Sequence, residues 1–122
     1  MTIFSLRSDD PILIVDDEFL VVWGLQDALE EMGFRSICSA ATVFDGLSVL
    51  HKQRPRFAFL DINLGREKSF ELARRLQSSD VPFAFITGYD PSVLGGQFEG
   101  VNVLSKPIDP ADLSAIVAVA DA

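Results

Sequence analysis

The sequence has few cysteines and no long apolar run, which excludes several classes of protein. It contains one cysteine, Cys38, among 122 residues, so no internal disulfide can form. No stretch reaches the roughly 18 apolar residues of a membrane span, and no basic-then-apolar leader is present. We therefore expect a soluble cytoplasmic protein with no membrane partner. Cys38 lies in an apolar stretch and is predicted to be a buried thiol.

Positive charge is also scarce. The sequence contains ten Lys and Arg residues and 18 Asp and Glu residues, which gives a formal charge of -8 and a sequence pI near 4.4. Because phosphate backbones are held by clustered basic side chains, this balance argues against a nucleic-acid partner. Part of the acidic excess is available for a divalent cation, which needs several carboxylate oxygens in one place.

The chain does contain short apolar runs that alternate with segments of helical periodicity. Its length and its 48% hydrophobic content suit one domain, so we expect a single domain over residues 1–122, with a core at about 10–120 and no output domain. Five runs are predicted to be strands: 12–15, 35–39, 57–60, 83–86 and 101–104. The predicted helices are 18–32, 42–53, 67–78, 90–97 and 109–120. The fourth of these should be short or broken, because it contains Pro91 and the pair Gly95-Gly96. Continuous apolar strands joined by helices predict an α/β fold with a doubly wound parallel sheet, (βα)5.

The last predicted helix has a clear start and a weakly polar outer face. Asp109 and Pro110 are typical of an N-cap and a first helical residue. The side chains off the main apolar stripe offer a surface on which a homodimer can form; they are Ala115, Ala118 and Val119.

Polar residues follow four of the predicted strands. Asp16 and Asp17 follow the first strand, Asp61 the third, Thr87 the fourth and Lys106 the fifth. In doubly wound sheets a site forms at the carboxyl ends of the strands, so these side chains should lie together. Three carboxylates there would repel one another unless a cation lay among them, and Mg²⁺ suits a site of a few oxygens completed by water and phosphate.

This set of side chains suits phosphoryl transfer. The Lys106 ammonium and the Thr87 hydroxyl can neutralise and hold phosphoryl oxygens. Asp61 ends a central strand and is the best placed nucleophile, whose attack on phosphorus would give an acyl phosphate.

The same residues resemble the signature set of response-regulator receiver domains over about residues 10–120. The segments that carry the resemblance are Asp16-Asp17, Phe59-Leu60-Asp61-Ile62-Asn63, Ile86-Thr87-Gly88 and Ser105-Lys106-Pro107. The resemblance implies a flavodoxin-like sheet of strand order 2-1-3-4-5, as in CheY-like proteins. It also implies a phosphoryl donor, either a histidine kinase or a histidine phosphotransfer protein, and an unknown downstream protein.

The resemblance further assigns roles to single residues. Asp17 would bind Mg²⁺ directly, Asp16 mainly through a water, and the Asn63 backbone carbonyl would supply another ligand. Asp61 would be the phosphoacceptor and a metal ligand. Thr87 and Lys106 would hold the phosphoryl oxygens, and a cis peptide bond would precede Pro107.

Two further segments refine the resemblance. Phe85-Ile86-Thr87-Gly88-Tyr89 and the stretch 64–70 are similar to a group of small stand-alone alphaproteobacterial receivers named for a Phe-Ala-Thr-Gly-X-Tyr motif. Val103 stands where many receivers carry an aromatic residue that swings inward on phosphorylation. Either Tyr89 takes that role or it is an ordinary half-buried tyrosine.

The first helix carries two aromatic residues on its polar face. Phe19 and Trp23 should point outward beside the predicted site. Together with Pro107 and Ile108 they are predicted to dock the phosphoryl donor. Scattered exposed apolar side chains without function are the alternative.

Two other functions remain open. A phosphatase of the haloacid-dehalogenase type also forms an aspartyl phosphate, but it carries its nucleophile after the first strand and its acidic pair late. A degenerate receiver would bind a partner without phosphate, yet all five pocket positions are intact. We therefore expect a protein that catalyses only its own phosphorylation and dephosphorylation and is not a turnover enzyme.

Overall fold

Strands and helices alternate along the chain over the part that the computed structural model describes, residues 3–88 and 91–121. Nine strands lie in this part: β1 Phe4–Leu6, β2 Ile12–Val15, β3 Ile37–Ala40, β4 Phe57–Asp61, β5 Asn63–Leu64, β6 Glu67–Lys68, β7 Phe83–Thr87, β8 Asn102–Ser105 and β9 Val117–Val119. Its α-helices are α1 Phe19–Met32, α2 Val43–Lys52, α3 Phe70–Ser78 and α4 Pro110–Ser114, and a short 3₁₀ turn covers Pro91–Leu94.

Five parallel strands form the central sheet in the order β3-β2-β4-β7-β8. If the five predicted strands are numbered as they occur along the chain, this order is 2-1-3-4-5, so the predicted flavodoxin-like fold is confirmed. The innermost strands β2, β4 and β7 are buried along their whole length. Their continuous apolar runs are required because helices cover both faces of the sheet.

One face of the sheet packs against α2 and α3, and the other packs against α1 and α4. Leu72 and Leu76 of α3 are fully buried on the first face. Leu25 and Leu29 of α1, with Leu113 of α4, are buried on the second. The apolar stripe of α1 was predicted from the sequence, and Gly33 ends this helix in a left-handed conformation at φ 110°.

The chain ends form a second, two-stranded sheet that the sequence did not predict. β1 pairs with β9 in parallel, so that Phe4 lies opposite Val117 and Leu6 opposite Val119. The predicted helix 109–120 is therefore wrong beyond Ser114. The β-branched residues of β9 favour a strand once a partner strand is available.

This strand also removes the basis of the predicted dimer surface. Ala118 and Val119 belong to β9, and Ala115 lies at the C-cap of α4. These three residues do not share a helical face in the described structure. The start of α4 was predicted correctly, since Asp109 Oδ1 accepts a hydrogen bond from the Ala111 backbone N–H at 2.9 Å.

Three other predictions need correction. α3 begins at Phe70 and not at residue 67, because β5 and β6 form an antiparallel hairpin before it. The segment 90–97, predicted to be a short or broken helix, forms only the 3₁₀ turn within the described residues, and Gly95 and Gly96 adopt positive φ. Cys38 is exposed, because β3 is an edge strand. Its thiol is nevertheless partly buried, and this burial raises the pKa of the thiol.

The described helices include none that is both long and apolar enough to cross a membrane.

Candidate phosphoryl-acceptor site

The predicted site residues meet at the carboxyl edge of the central sheet. Asp16 follows β2, Asp61 ends β4, Thr87 ends β7, and Lys106 follows β8. These strand ends are brought together because β2, β4, β7 and β8 are consecutive neighbours in a parallel sheet. Asp16, Asp61 and Thr87 are buried.

Lys106 lies at the centre of a cluster of carboxylates. Its Nζ is 3.0 Å from Asp16 Oδ2, 3.1 Å from Asp61 Oδ2 and 2.7 Å from Glu18 Oε1. Burial alone would lower the pKa of Lys106, but its interactions with the acceptor carboxylates of Glu18, Asp16 and Asp61 outweigh burial and hold the pKa above its usual range. The lysine is therefore a permanent positive charge in the site.

The surroundings of Asp61 disfavour the ionised form of its carboxyl group. Burial raises its pKa to about 6, and the nearby Asp16 charge adds to the rise, while the hydrogen bond from Lys106 opposes it. The Asn63 backbone N–H also donates to Asp61 Oδ1 at 3.4 Å. A buried acid with a perturbed pKa and a lysine partner in a cleft is typical of a functional site.

Asp17, the predicted direct metal ligand, makes a contact that the sequence did not predict. Its side chain turns toward the β5–β6 hairpin, where Oδ2 accepts a hydrogen bond from the Gly65 backbone N–H at 3.1 Å. Asp16 lies within the carboxylate cluster around Lys106, and its Oδ1 accepts a hydrogen bond from the Glu18 backbone N–H at 2.8 Å. Asp17 nevertheless lines the same cleft.

The cleft above Asp61 has a volume of about 450 Å³. Its lining brings together most of the predicted set with one acid that the prediction left out; the lining residues are Asp17, Glu18, Asp61, Asn63, Gly65, Gly88 and Lys106. The Asn63 side chain accepts a hydrogen bond from Lys68 Nζ across the hairpin. Its backbone carbonyl therefore remains the part of Asn63 assigned to the metal.

The donor set fits Mg²⁺. Oxygens of Asp16, Glu18 and Asp61 all lie within 4.8 Å of one another among the described residues. Hard carboxylate oxygens beside an open cleft are what this ion binds, because it retains water and accepts phosphate oxygens. Asp17 and the Asn63 carbonyl border that cleft and can complete the coordination.

Glu18 is the site residue that the sequence analysis missed. It is the third successive acid after β2, and this run was the available signal. The side chain of Glu18 is about 60% exposed, while those of Asp16 and Lys106 are largely buried. Glu18 therefore closes the rim of the cluster from the solvent side.

The predicted docking residues fall into two grooves on opposite sides of α1. Phe19 and Trp23, whose ring centroids lie 6.4 Å apart, line a groove of about 600 Å³ between α1 and α2. Pro107 and Ile108 line a groove of about 420 Å³ between α1 and the start of α4, with Leu20 on its opposite wall. Phe19, Leu20 and Trp23 are all exposed, as predicted for Phe19 and Trp23.

The backbone confirms one further prediction for this edge. The Lys106–Pro107 peptide bond is cis, as predicted. The Lys106 backbone N–H donates to the Thr87 carbonyl at 2.9 Å and joins the two loops. Tyr89, the predicted alternative to an aromatic residue at position 103, lies outside the described residues. Val103 is half-buried in β8.

Comparisons with known proteins agree with this geometry. Residues 12–118 match the family model described as the response regulator receiver domain. The chain is 32% identical over 108 residues to the transcriptional regulatory protein YvrH of Bacillus subtilis, covering 85% of this chain and 46% of YvrH. It is 31% identical over 113 residues to the phyllosphere-induced regulator PhyR of Methylorubrum extorquens, covering 89% of this chain and 42% of PhyR.

Solved structures give the same result. The solution structure of SdrG from Sphingomonas melonis Fr1 aligns with a TM-score of 0.80 at 32% identity, covering 90% of this chain and 94% of that one. The crystal structure of PhyR from Brucella abortus aligns with a TM-score of 0.78, and at 24% identity it supports the fold alone. The chain spans less than half the length of YvrH and of PhyR from Methylorubrum extorquens.

Proposed function

Because this chain belongs to the response regulator receiver family and so has a role in two-component signalling, we propose that it accepts a phosphoryl group on Asp61 in a Mg²⁺-dependent reaction. The observation that carries the proposal is the placement of Lys106 Nζ 3.1 Å from Asp61 Oδ2 in a 450 Å³ cleft beside further carboxylates. The similarity to SdrG, at 32% identity over 94% of that chain, supports the receiver role.

The transfer step assigns one task to each residue. An Asp61 oxygen attacks the phosphorus of a donor phosphohistidine, the P–N bond breaks, and its electron pair stays on the donor imidazole. Lys106 and the Thr87 hydroxyl hold the phosphoryl oxygens as charge develops on them. Mg²⁺, when bound, neutralises the remaining carboxylate charge and orients the phosphoryl group.

Phosphorylation of Asp61 can be tested with a small-molecule donor. Acetyl phosphate with Mg²⁺ should add one phosphoryl group to the wild-type protein, and Asp61→Asn should abolish the addition because the amide is not a nucleophile. Intact-protein mass spectrometry measures the mass change, and Asp27→Asn on the exposed face of α1 is a matched control. Undiminished phosphate on Asp61→Asn would show that another residue is the acceptor.

The main alternative is a phosphatase that turns over phosphate monoesters. A receiver should not release phosphate repeatedly from a generic monoester, whereas a phosphatase should. Steady turnover that is lost in Asp61→Asn would favour the phosphatase and contradict the receiver assignment.

We also propose that the phosphoryl donor docks across α1. In-line attack on Asp61 brings the donor helix to the sheet edge, where α1 presents exposed apolar side chains between its two grooves. Truncating an aromatic interface anchor often costs about 2 kcal/mol or more, roughly a 30-fold loss of affinity.

Comparing two variants separates the grooves. We expect Leu20→Ala, in the groove with Pro107 and Ile108, and Trp23→Ala, in the groove with α2, to slow transfer from the cognate phosphohistidine donor. Neither should slow modification by acetyl phosphate, which needs no docking. Equal losses with both donors would mean that the residue supports the fold, and an effect of Leu20→Ala alone would confine docking to the smaller groove.

A further inference from the structure

Three carboxylates surround the Lys106 ammonium. An ammonium has three N–H donors. Its nitrogen lies within 3.1 Å of three carboxylates, those of Glu18, Asp16 and Asp61. Glu18 and Asp61 accept hydrogen bonds from Lys106 Nζ, so a phosphoryl oxygen that binds this ammonium competes with these carboxylates for it.

The three partners differ in how easily they can leave. The Asp16 side chain is fully buried and is fixed by the backbone N–H of Glu18. Asp61 is buried and, on the proposed function, is the group that becomes modified. Only Glu18, at the N-cap of α1 and about 60% exposed, can rotate into water without leaving a buried charge unpaired.

We propose that Glu18 is a positioning residue, which holds Lys106 Nζ beside Asp61 in the unmodified site and is displaced from it by the phosphoryl group. This inference rests on the proposed function. Glu18 then competes with phosphate for the same ammonium, and it sets how tightly the modified state is held. The sequence carries this device in one residue, the acid that directly follows Asp16 and Asp17.

The geometry makes the effect specific to side-chain length. The contact from Glu18 Oε1 to Lys106 Nζ is 2.7 Å. Asp at this position keeps the negative charge but has one methylene fewer and cannot maintain the contact from the same backbone. Glu18→Asp therefore separates loss of the lysine contact from loss of charge at the rim.

The test measures binding of beryllofluoride, a phosphoryl mimic, in saturating Mg²⁺ by isothermal titration calorimetry. We expect Glu18→Asp and Glu18→Ala to bind beryllofluoride about two- to fivefold more tightly than wild type, the ratio that matches a partly exposed ion pair. Glu30→Ala, an exposed acid near the end of α1, controls for net charge and should bind as wild type does. A separate Mg²⁺ titration without beryllofluoride measures the Mg²⁺ affinity of each variant, so that the beryllofluoride titrations are run with Mg²⁺ saturating for every protein.

Three other outcomes would contradict the inference or the proposed function on which it rests. If Glu18→Asp binds beryllofluoride as wild type does, Glu18 acts only through its charge and the inference is wrong. If Glu18→Asp weakens Mg²⁺ binding tenfold, Glu18 is a metal ligand and the inference is again wrong. If wild type itself does not bind beryllofluoride with Mg²⁺, the proposed function fails and the role of Glu18 fails with it.

Discussion

Asp61 combines a functional position with a cost in folding free energy. Its folded-state pKa of about 6 lies above the ordinary value of 3.8, mainly because the carboxyl is buried. Well below pH 3.8 the group is protonated in both folded and unfolded chains and has no effect on the free energy of unfolding. Between the two pKa values, 3.8 and about 6, the unfolded chain releases this proton more readily than the folded chain. The free energy of unfolding therefore falls over that interval and stays lower above it.

The neutral variant should therefore stabilise the metal-free protein. We expect Asp61→Asn to raise the free energy of unfolding by about 1–3 kcal/mol at pH 7.5, and by less at pH 4.5. Urea unfolding in the presence of a chelator measures both values. Asp27→Asn, an exposed acid on α1, is the control and should show no comparable pH-dependent gain. A variant that is less stable than wild type at pH 7.5 would mean that the ion pair with Lys106 outweighs burial.

At the scale of elements, α2 approaches α3 closely at Gly46. A Cβ built on Gly46 would lie 2.7 Å from Leu72 Cδ2 and 3.5 Å from Val15 Cγ2. Leu72 is fully buried and has little room to move. Gly46 is thus required by packing, although glycine is a poor residue inside a helix.

Two glycine variants test this requirement. Gly46→Ala should lower the free energy of unfolding by about 1–3 kcal/mol, since overpacking outweighs the gain in helix propensity. Gly24→Ala on α1 meets no atom within 4 Å and should raise it by about 0.5–1 kcal/mol. Thermal unfolding of both variants against wild type gives the comparison, and a stabilised Gly46→Ala would show that α2 and α3 can separate at little cost.

The segment between β7 and β8 has local turn hydrogen bonds, whereas the two strands are hydrogen-bonded in the central sheet. Within the described residues 91–101 its backbone hydrogen bonds include short local ones, such as Gly95 N–H to the Ser92 carbonyl and Val101 N–H to the Phe98 carbonyl. Phe98 anchors the segment despite a positive φ of 59°, with its ring 5.3 Å from that of Phe85 and 5.8 Å below the Arg74 guanidinium. Phe98 and the buried Leu94 therefore supply much of the tertiary attachment of this segment.

Activation should rearrange this segment, because Val103 has no ring to move. Amide hydrogen exchange in residues 91–100 should change when Mg²⁺ and beryllofluoride are added, while exchange in α2 should not. Phe98→Ala should raise exchange in the same residues before any addition. Unchanged exchange throughout 91–100 in the activated wild type would place the response elsewhere.

The sequence predicted elements better than it predicted their ends. The central strands and α1 were predicted nearly residue by residue, because continuous apolar runs and a 3.6-residue stripe are local signals. The second half of the last helix was wrong because Val117 and Val119 form a strand only with Phe4 and Leu6, which lie far away in sequence. Such pairing leaves no local pattern.

The site divides along the same line. Strand-end positions placed Asp16, Asp61, Thr87 and Lys106 at one sheet edge, since parallel strands align their carboxyl ends. The direction of a side chain is not fixed by that rule, so neither the turn of Asp17 toward Gly65 nor the contact of Glu18 with Lys106 was predicted.

At the scale of the whole molecule, the β1–β9 pair joins the two ends of the described chain. The backbone N–H of Ser8 donates to Asp121 Oδ1 at 2.8 Å, and this bond lowers the pKa of Asp121. Leu6, the last residue of β1, is buried in the core, whereas Ile3 is about half exposed.

Leu6→Ala should therefore lower the free energy of unfolding of the entire domain by about 2–4 kcal/mol, because it leaves a cavity under both ends. Ile3→Ala should change it by less than about 0.5 kcal/mol. Chemical unfolding followed by circular dichroism measures both. A small loss in Leu6→Ala would indicate that the terminal pair frays independently of the core.

The same pairing sets an order of assembly during synthesis. Ser8 and its partner Asp121 are 113 residues apart, so β1 is synthesised long before its partner strand. Until β9 emerges, Phe4 and Leu6 have no strand to pair with, and one face of the sheet stays partly uncovered. Closing so long a loop is slow relative to local helix formation, so the terminal pair should be the final part of the fold to form. A nascent chain stalled before Val117 would be the state most exposed to aggregation.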